Sequence, residues 1–464
     1  MNTEIRSLDC DSRRVQENSL FFAIEGYTTD GHRYIDQALR NGAVGVASER
    51  EAPAAFPQAW IRVGGIRDYM AWAADEFYGQ PSRRLSLIGI TGTNGKTTTG
   101  YLAHSILQVD SPALLMGTVE RIIGKAVADS VRTTPEAPEV QFTLKQALDE
   151  GCRVGVIEVS SHALSLRRVY KCRFPVGVFT NLSQDHLDFH GTMESYFQAK
   201  RLLFQTEYNP GIRSAVVNAD DPHSSRLQPS PRVQVFRFGL SPSNDVHPIA
   251  HTTSVEGTRM ELSFFGRRLS LSTSLVGAHN LYNTMAAAAA CALLGVGDEQ
   301  IAEGVSRLAK VPGRFEKVDL AAPFTVVVDY AHTPKALENI LKLSRRLCRG
   351  RIICVFGCGG DRDPFKRPLM GEVGASLADI AILTSDNPRS EAPQRIIEEM
   401  KAGIPEGHSN YEILPQRREA IARSLQLARP GDLVLLAGKG HETYQEINGR
   451  KVHFDDREVA REVY

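Results

Sequence analysis

Residues 89–99 read Gly-Ile-Thr-Gly-Thr-Asn-Gly-Lys-Thr-Thr-Thr and follow an apolar run, Leu-Ser-Leu-Ile, at residues 85–88. This order predicts a β-strand, a glycine-rich turn and the first turn of a helix. Such a turn exposes successive backbone N–H groups, which bind phosphate oxygens. Lys96 is placed to reach the outer phosphates of a nucleotide, and the Thr97 hydroxyl to bind Mg²⁺. The segment therefore predicts a nucleotide-binding α/β domain.

The spacing of the glycines departs from the usual phosphate-loop pattern. That pattern has a glycine five residues before the second glycine, which here is Gly95. Ile90 occupies that position, and Gly92 supplies the other glycine of the loop. This unusual glycine spacing reduces the number of nucleotide-binding families to which the chain can belong.

The composition indicates a multidomain protein of the reducing interior of a cell. A chain of 464 residues is too long for one compact core. Lys+Arg and Asp+Glu both number 54, so the net charge of zero argues against a nucleic-acid or anionic-membrane partner. Seven cysteines, with only Cys354 and Cys358 close together, predict thiols without disulfides or zinc. Residues 1–6 lack the apolar core of a signal peptide, and the apolar residues 285–295 are too few to span a bilayer, so we expect a cytoplasmic protein without membrane insertion.

Apolar runs alternate with helical patterns along the chain, which predicts an α/β fold in three domains. We expect a small α/β N-terminal domain at residues 1–84, and a central domain with a mostly parallel sheet at residues 85–311. A Rossmann-like C-terminal domain is expected at residues 312–464. Strands are predicted near residues 20–24, 43–47, 85–88, 113–116, 154–159, 176–180, 215–218, 324–329, 352–357, 380–384 and 433–437, with a hairpin at 260–275 and a buried helix at 279–294.

Polar clusters follow these predicted strands, where ligands bind in open α/β sheets. Glu158 ends a buried strand, in the place of a Mg²⁺ carboxylate opposite a phosphate loop. Residues 181–191, Asn-Leu-Ser-Gln-Asp-His-Leu-Asp-Phe-His-Gly, hold two histidines and two aspartates. This second cluster predicts a metal site without naming the metal.

These segments resemble the motifs of the Mur ligase family and occur in the same order. The resemblance covers nearly the whole chain and is closest to the members that add the third residue of the peptidoglycan stem peptide. The matching segments are residues 11–13 and 20–23 in the predicted N-terminal domain, then 91–98, 158–162, 181–191, 280–283, 311–316 and 329–334.

The resemblance implies an ATP-dependent ligation. The γ-phosphate of ATP would pass to a free carboxylate of UDP-N-acetylmuramoyl-L-alanyl-D-glutamate, and an amine would attack the acyl phosphate. The implied catalytic residues are Lys96, Glu158, His186 and Lys200, with two Mg²⁺ ions held by Thr97, Glu158 and His186. Lys200 matches a family position that carries a carbamate (N6-carboxylysine), although the residues alone favour an ordinary lysine on a helix surface.

The resemblance also implies two binding sets. The ATP-binding residues would be Gly92, Thr93, Asn94, Gly95, Lys96, Thr97, Thr98, Asn280, Arg314, Asp329 and His332. Those for the UDP-muramoyl dipeptide would be Ser12, Thr133, Thr134, Ser160 and Arg168. Thr133 and Thr134 can alternatively cap a helix that has Pro135 in its first turn.

The sequence Asp-Asn-Pro-Arg at residues 386–389 marks the family members that use meso-diaminopimelate, whose distal carboxylate an arginine can bind in a bidentate manner. The implied contacts are Arg362, Asp386, Asn387, Arg389, Gly438 and Glu442. The alternative for Arg389 is that it neutralises nearby Glu391. We expect a monomer with a hinge near residues 310–313. Competing functions are a ligase for lysine or another amino acid, a D-alanyl-D-alanine-adding or folylpolyglutamate ligase, and a phosphate-loop ATPase or switch without ligase activity.

Overall fold

The computed structural model describes residues 4–26, 29–54, 56–254 and 256–464. The first three residues of the 1–6 segment considered above lie outside the described residues. The described chain contains three large sheets, of four, eleven and six strands, and one two-stranded ribbon. The predicted α/β class with mostly parallel sheets is confirmed, whereas the boundaries at residues 84 and 311 stay a prediction. In these four ranges, no helix is long and apolar enough to cross a membrane.

The first sheet is parallel throughout, in the order β1-β2-β3-β4. Because side chains alternate across a strand, Phe21 and Phe22 point to opposite faces, and each packs in its own buried cluster. Ala137, from the central part of the chain, joins the cluster around Phe22. The elements are β1 (Ser7–Asp9), β2 (Ser19–Phe22), α1 (Ile35–Arg40), β3 (Ala43–Ser48), β4 (Ala59–Arg62) and α2 (Ile66–Phe77).

The central sheet has a parallel middle and antiparallel edges, in the order β15-β14-β13-β12-β11-β10-β5-β9-β6-β7-β8. Its strands are β5 (Ser86–Thr91), β6 (Ala113–Met116), β7 (Glu120–Ile123), β8 (Ala126–Asp129), β9 (Val154–Glu158), β10 (Val176–Phe179), β11 (Ser214–Asn218), β12 (Gln234–Phe238), β13 (Val246–Ser254), β14 (Gly257–Phe264) and β15 (Arg267–Thr273). Strands β6 to β9, which follow β5 along the chain, lie on one side of it in the sheet, and strands β10 to β15 lie on the other side. The direction of strand order therefore reverses at β5. Ligands bind at such a point in open α/β sheets.

Helices cover both faces of the central sheet. The alanine-rich helix α8 is buried and packs on α3, as its apolar composition predicts. The helices are α3 (Lys96–Leu107), α4 (Ala137–Asp149), α5 (Ser161–Ser165), α6 (Leu187–His190), α7 (Met193–Arg201), α8 (Ala278–Ala292) and α9 (Asp298–Arg307).

The third sheet has the order β16-β17-β21-β18-β19-β20 and is parallel except for the edge strand β16. Its elements are β16 (Glu316–Val318), β17 (Thr325–Asp329), α10 (Pro334–Leu347), β18 (Ile352–Phe356), α11 (Lys366–Leu377), β19 (Ile380–Leu383), α12 (Pro393–Lys401), β20 (Tyr411–Ile413), α13 (Arg417–Leu427), β21 (Leu433–Ala437) and α14 (Asp456–Val463). The separate ribbon pairs β22 (Tyr444–Ile447) with β23 (Arg450–His453). The carboxyl ends of β17, β18, β19 and β21 therefore form one edge.

The structure changes two local predictions. Strand β5 continues to Thr91, beyond the predicted end at Ile88, because it pairs with β9 up to Ile90 and with β10 up to Thr91. The segment 117–132, for which the sequence predicts no strand, contains the hairpin β7–β8. The predicted hairpin at 260–275 is confirmed as β14–β15, and its turn has positive φ at Phe265 and Gly266.

A fully buried ion pair fastens α13 to α14 in the C-terminal part. Arg417 donates to the Asp456 carboxylate at 2.8 and 2.6 Å, and also to the carbonyl of Ala437 at the end of β21. Both side chains have zero exposure. A buried pair of this kind is costly to break from one side, because the remaining charge loses its partner.

We expect Arg417→Met to lower the free energy of unfolding of this region by about 3–5 kcal/mol. Urea unfolding followed by circular dichroism measures it. The matched control is Arg418→Met, since Arg418 pairs with Glu462 on the surface, where such pairs contribute about 1 kcal/mol or less. Equal losses in the two variants would contradict the prediction. Replacing Asp456 by Leu as well should recover stability, because no charge is then left unpaired.

Candidate active site

The phosphate loop joins β5 to α3 at the point where strand order reverses. Gly92 has φ +149°, and a side chain there would collide with Thr180 Oγ1, so the offset glycine has a steric reason. The Lys96 ammonium folds back onto the carbonyl oxygens of Gly92 and Thr93, at 3.0 Å each. Burial lowers its pKa. The loop's own carbonyls therefore hold the lysine.

The loop is bonded to the segment that follows β10. Asn94 N donates to Asn181 Oδ1 at 2.9 Å, and Ser183 N donates to Thr93 Oγ1 at 3.0 Å. Thr98 is buried in the first turn of α3. Hydrogen bonds therefore join the phosphate loop to the beginning of the predicted metal-binding segment 181–191.

Glu158 lies fully buried beside the phosphate loop. Its Oε2 accepts from Thr97 Oγ1 at 3.0 Å and from Thr118 Oγ1 at 2.9 Å, and its Oε1 accepts from Thr118 N at 2.9 Å. Hydroxyl and carboxylate oxygens are the ligands that Mg²⁺ prefers, and it usually takes one or two carboxylates together with phosphates and waters. The donor set at Thr97 and Glu158 therefore fits Mg²⁺, although the described residues contain no group of three side chains able to cage a metal alone.

Lys200 is buried, and the interpretation as a surface lysine is wrong. Its Nζ donates to the Gly92 carbonyl at 2.8 Å, the same oxygen that holds Lys96, and lies 4.4 Å from the centre of the Tyr196 ring. Burial, and then the charge of Lys96, hold its pKa well below the ordinary value. The signal lay in the spacing of α7, because Tyr196 and Lys200 are four residues apart on one helix face.

Three histidines cluster beside Lys200. The His162 ring lies 4.8 Å from that of His186 and 5.4 Å from that of His190, measured between centroids. Burial, then the charges of His186 and His190, lower the pKa of His162 to about 3, so this ring is neutral at pH 7. His190 Nε2 lies 2.9 Å from Ser161 Oγ. His186 is the most exposed of the three and has a positive φ of 55°.

The C-terminal part approaches the phosphate loop through Arg314. Its Nη2 donates to Thr97 Oγ1 at 3.3 Å, and its guanidinium lies 4.8 Å from the centre of the Tyr330 ring. His332 is held by the Tyr330 carbonyl, 2.8 Å from Nδ1, and burial lowers its pKa to about 4. Lys366, which the sequence analysis did not single out, donates to the His332 carbonyl at 3.0 Å.

Two residues predicted to contact ATP, Asp329 and Asn280, form hydrogen bonds to other residues of the protein. Both carboxylate oxygens of Asp329 accept from backbone N–H groups, those of Phe315 and Ala331. Asn280 donates to the Val276 carbonyl and accepts from Asn283. Asn283, in turn, accepts from Thr99 behind the phosphate loop, at 3.3 Å. Asn280 thus reaches the loop through Asn283, which the sequence analysis left without a role.

The predicted dipeptide-binding residues of the central part lie together at the end of β9. Thr134 Oγ1 donates to the Glu158 carbonyl at 2.7 Å and accepts from Ser160 N at 3.2 Å. Arg168 donates to the Thr134 carbonyl at 3.1 Å, and Thr133 Oγ1 lies 3.1 Å from Thr118 Oγ1. Through Thr118, which also bonds the Glu158 carboxylate, these contacts connect Thr133 and the adjacent Thr134 to that carboxylate.

The alternative role of Thr133 and Thr134 as helix caps is wrong. Helix α4 begins at Ala137 with Glu136 as the N-cap residue, so Pro135 precedes the helix. Ser12 stands apart from this group, in the first sheet region, where its hydroxyl donates to Gln37 at 2.9 Å.

A second polar site lies at the carboxyl edge of the third sheet. Asn387 Nδ2 donates to Glu442 Oε2 at 2.7 Å, and the fully buried Lys439 lies 3.3 Å from the same oxygen. The Asp386 carboxylate is 4.0 Å from Lys439 Nζ. Burial, then the charge of Asp386, raise the pKa of Glu442. Nothing in the sequence indicated that Lys439, between the predicted contacts Gly438 and Glu442, would be buried between carboxylates.

Two arginines flank this site at Gly359. A methyl group on Gly359 would lie 3.0 Å from Arg389 Nη1 and 3.7 Å from Arg362 Cγ. Arg362 is exposed, whereas Arg389 is largely buried and has a positive φ of 50°. Strained backbone of this kind persists where the surrounding structure holds it, and it clusters at functional sites.

The alternative pairing of Arg389 with Glu391 is wrong. Glu391 is bonded to Arg367 at 2.8 and 2.9 Å and accepts from Asp361 N. Arg389 instead donates from Nη1 to the Gly360 carbonyl at 2.7 Å, and its Nε lies 3.2 Å from Glu446. Cys354 and Cys358 are buried and not joined by a disulfide, and the described residues contain no group of three His, Cys, Asp or Glu side chains arranged to hold a metal.

Three family models match the chain in succession. They are described as "Mur ligase family, catalytic domain" at residues 4–78, "Mur ligase middle domain" at residues 90–291, and "Mur ligase, glutamate ligase domain" at residues 313–440.

Curated relatives match over nearly their full length. A UDP-N-acetylmuramoyl-L-alanyl-D-glutamate–2,6-diaminopimelate ligase of Solibacter usitatus is 46% identical, with 99% of this chain and 94% of the relative covered. That of Gloeobacter violaceus is 47% identical with the same coverage. A solved structure of a ligase of this name is 33% identical, with a TM-score of 0.68 over 99% of this chain and 94% of the other. A MurF structure from Acinetobacter baumannii is 18% identical, with a TM-score of 0.69 over 97% and 92%, and shows likeness of fold.

Proposed function

This chain belongs to the Mur ligase family, and from that premise we propose that it joins 2,6-diaminopimelate to the D-glutamate of UDP-N-acetylmuramoyl-L-alanyl-D-glutamate. It is an ATP-dependent ligase of peptidoglycan synthesis. One observation supports the choice of amine most directly. Arg389 and Arg362 both lie close to Gly359, and Asn387, two residues before Arg389, donates to Glu442, so two cations and an anion would be available to a zwitterion with a distal carboxylate. Lysine, unlike diaminopimelate, lacks a distal carboxylate that the two arginines could bind.

The phosphate loop supports the first half of the reaction. Lys96 would leave the carbonyls of Gly92 and Thr93 and bind the transferring phosphoryl group, whose charge it neutralises. Arg314 lies within reach of the same loop and brings a second cation from the C-terminal part. Thr97 and Glu158 would hold Mg²⁺, which supplies further neutralisation of the phosphate oxygens when bound. Phosphoryl transfer of this kind depends mainly on positioning and charge.

The residues at the end of β9 support binding of the acceptor. Thr134 Oγ1 accepts from Ser160 N and donates to the Glu158 carbonyl, so an acceptor carboxylate held here would lie close to the phosphate loop. Arg168 would attract the carboxylates of the dipeptide, and Ser12 would contact the nucleotide end. His186 would assist a second Mg²⁺ ion between these groups. Asn280, Asp329 and His332 would shape the nucleotide site.

The second half of the reaction needs the amine close to the acyl phosphate. Glu442 and the Gly438 carbonyl would bind the distal ammonium of diaminopimelate, while Asp386 and Asn387 fix the loop that carries Arg389. These contacts would leave the other amino group to attack the acyl carbon. The amide forms as phosphate departs.

We propose that Lys200 carries a carbamate, as its family position implies. A neutral amine is needed to attack CO₂, and burial, which lowers the pKa of Lys200 well below its ordinary value, increases the neutral fraction of this amine. The product is an anion close to Lys96, since both lysines bond the Gly92 carbonyl, and the carbamate would attract the Lys96 ammonium. Such a carbamate would orient the ligands of Mg²⁺.

We expect Lys200→Ala to lower kcat by about 10- to 100-fold, the cost typical of losing a group that orients metal ligands. The Mg²⁺ concentration for half-maximal rate should rise in parallel. Native mass spectrometry of the parent protein in bicarbonate should show the added mass of one CO₂, which the variant lacks. Full activity with unchanged Mg²⁺ dependence would rule out the carbamate.

The proposed function is tested by ADP release with ATP, Mg²⁺ and the UDP-muramoyl dipeptide. Four reactions are compared, containing meso-diaminopimelate, L-lysine, D-lysine or no amino acid. ADP release should require an amine and be fastest with diaminopimelate. Equal rates in all four would indicate an ATPase or nucleotide switch without ligase activity.

We further propose a cytoplasmic monomer. Both ATP and a UDP-linked substrate are cytoplasmic metabolites, and the seven unpaired cysteines fit a reducing compartment. One chain supplies residues for the phosphate, dipeptide and amino-acid sites, which supports a monomer.

A further inference from the structure

The ribbon β22–β23 lies across the loop that carries Asn387 and Arg389. Arg389 N donates to the Glu446 carbonyl at 2.9 Å, and Asn448 N donates to the Arg389 carbonyl at 2.7 Å. Glu446 N donates to Asn387 Oδ1 at 3.0 Å. All three bonds use the backbone of the ribbon, so they hold the ribbon to the loop whatever side chain stands at residue 446.

The side chain of Glu446 has a different contact. Its Oε2 lies 3.2 Å from Arg389 Nε, and the two side chains are only 28% and 19% exposed. The same guanidinium is the group proposed to bind the distal carboxylate of the substrate. A carboxylate of the chain itself therefore neutralises Arg389.

Resting on the proposed function, we propose that Glu446 determines affinity and selectivity by competing with the distal carboxylate of diaminopimelate for Arg389. Glu446 and that distal group are both carboxylates, so they seek the same guanidinium edge. Two carboxylates close to one arginine also repel each other. Part of the attraction between substrate and Arg389 is then offset by displacement of Glu446.

The competition has a second consequence, for lysine. When a substrate lacks the distal carboxylate, Arg389 keeps Glu446 as its partner and no buried charge is left unpaired. Unpaired buried charges are what make a site reject an analogue strongly. Glu446 thus weakens the rejection of lysine as well as the binding of diaminopimelate.

The test is Glu446→Gln, which keeps the size of the side chain and all three backbone bonds. We expect KM for diaminopimelate to fall about 3- to 10-fold, the range for a partly buried ion pair. The ratio of kcat/KM for diaminopimelate to that for L-lysine should rise by at least the same factor. KM for ATP and kcat should change little, because the contacts of Lys96 and Thr97 are untouched.

Glu462→Gln is the matched control, since it removes the same charge from a surface pair with Arg418 and should leave both KM values unchanged. Glu446→Ala should lower KM for diaminopimelate too, and thermal unfolding of each variant verifies the fold. An unchanged or raised KM in both Glu446 variants would overturn the competition, a raised KM meaning that Glu446 orients Arg389. A parent enzyme whose ADP release needs no diaminopimelate would instead refute the proposed function.

Discussion

Replacing Lys96 by methionine is expected to lower kcat/KM for ATP by about 10³-fold, the range for losing a cation that neutralises a transferring phosphoryl group. Among the described residues, the ammonium has the carbonyls of Gly92 and Thr93 as its hydrogen-bond partners. Methionine has a similar length and places no charge in the loop. ADP release measured at saturating dipeptide and diaminopimelate gives the effect.

The fold should survive this change. Among the described residues, Lys96 donates two hydrogen bonds to backbone carbonyls and forms no ion pair. Its removal therefore leaves no carboxylate without a partner. Lys145→Met is the control, because Lys145 is an exposed lysine paired with Asp149 on α4 and should keep the parental rate. A Lys96→Met variant that retains more than about a tenth of the parental kcat/KM would contradict a role in phosphoryl transfer.

Local pattern was enough to predict the elements that have either a continuous apolar run or a clear alternation of apolar and polar side chains. Strand β21 (Leu433–Ala437) and the hairpin β14–β15 follow from apolar runs and a turn at Gly266. Strand β13 was missed because it is mostly exposed and contains Pro248, so its sequence has no apolar face. It forms because β12 and β14 pair with it on either side. Pairing across the sheet is not visible in one segment.

The candidate site divides in the same way. Lys96, Thr97 and Glu158 lie at or just after the ends of strands, which is where the sequence predicts ligand-binding residues. Thr118 bonds Glu158 across 40 residues of chain, in a segment without motif. Glu446 meets Arg389 only because the ribbon β22–β23 folds over the loop. Such partners depend on how separate elements are brought together, so no local signal marks them.

Arg389→Ala is expected to raise KM for diaminopimelate by about 30- to 10³-fold, which corresponds to about 2–4 kcal/mol for truncating one partner of a buried charge pair. Two terms contribute. The distal carboxylate loses its guanidinium, and it meets the unpaired Glu446 carboxylate at the same place. KM for ATP should change by less than about threefold, because Arg389 belongs to a different sheet edge from the phosphate loop.

The two terms can be separated. In Arg389→Ala with Glu446→Gln, the repulsion is gone, so KM should recover part of the loss. Arg389→Lys restores a point charge without the bidentate fork and should give an intermediate KM. Arg395→Ala is the control, since Arg395 is exposed and pairs with Glu399 on α12, and it should behave as the parent. Equal increases of KM for diaminopimelate and ATP in Arg389→Ala would show that the arginine maintains the fold of the C-terminal part and does not select the amine.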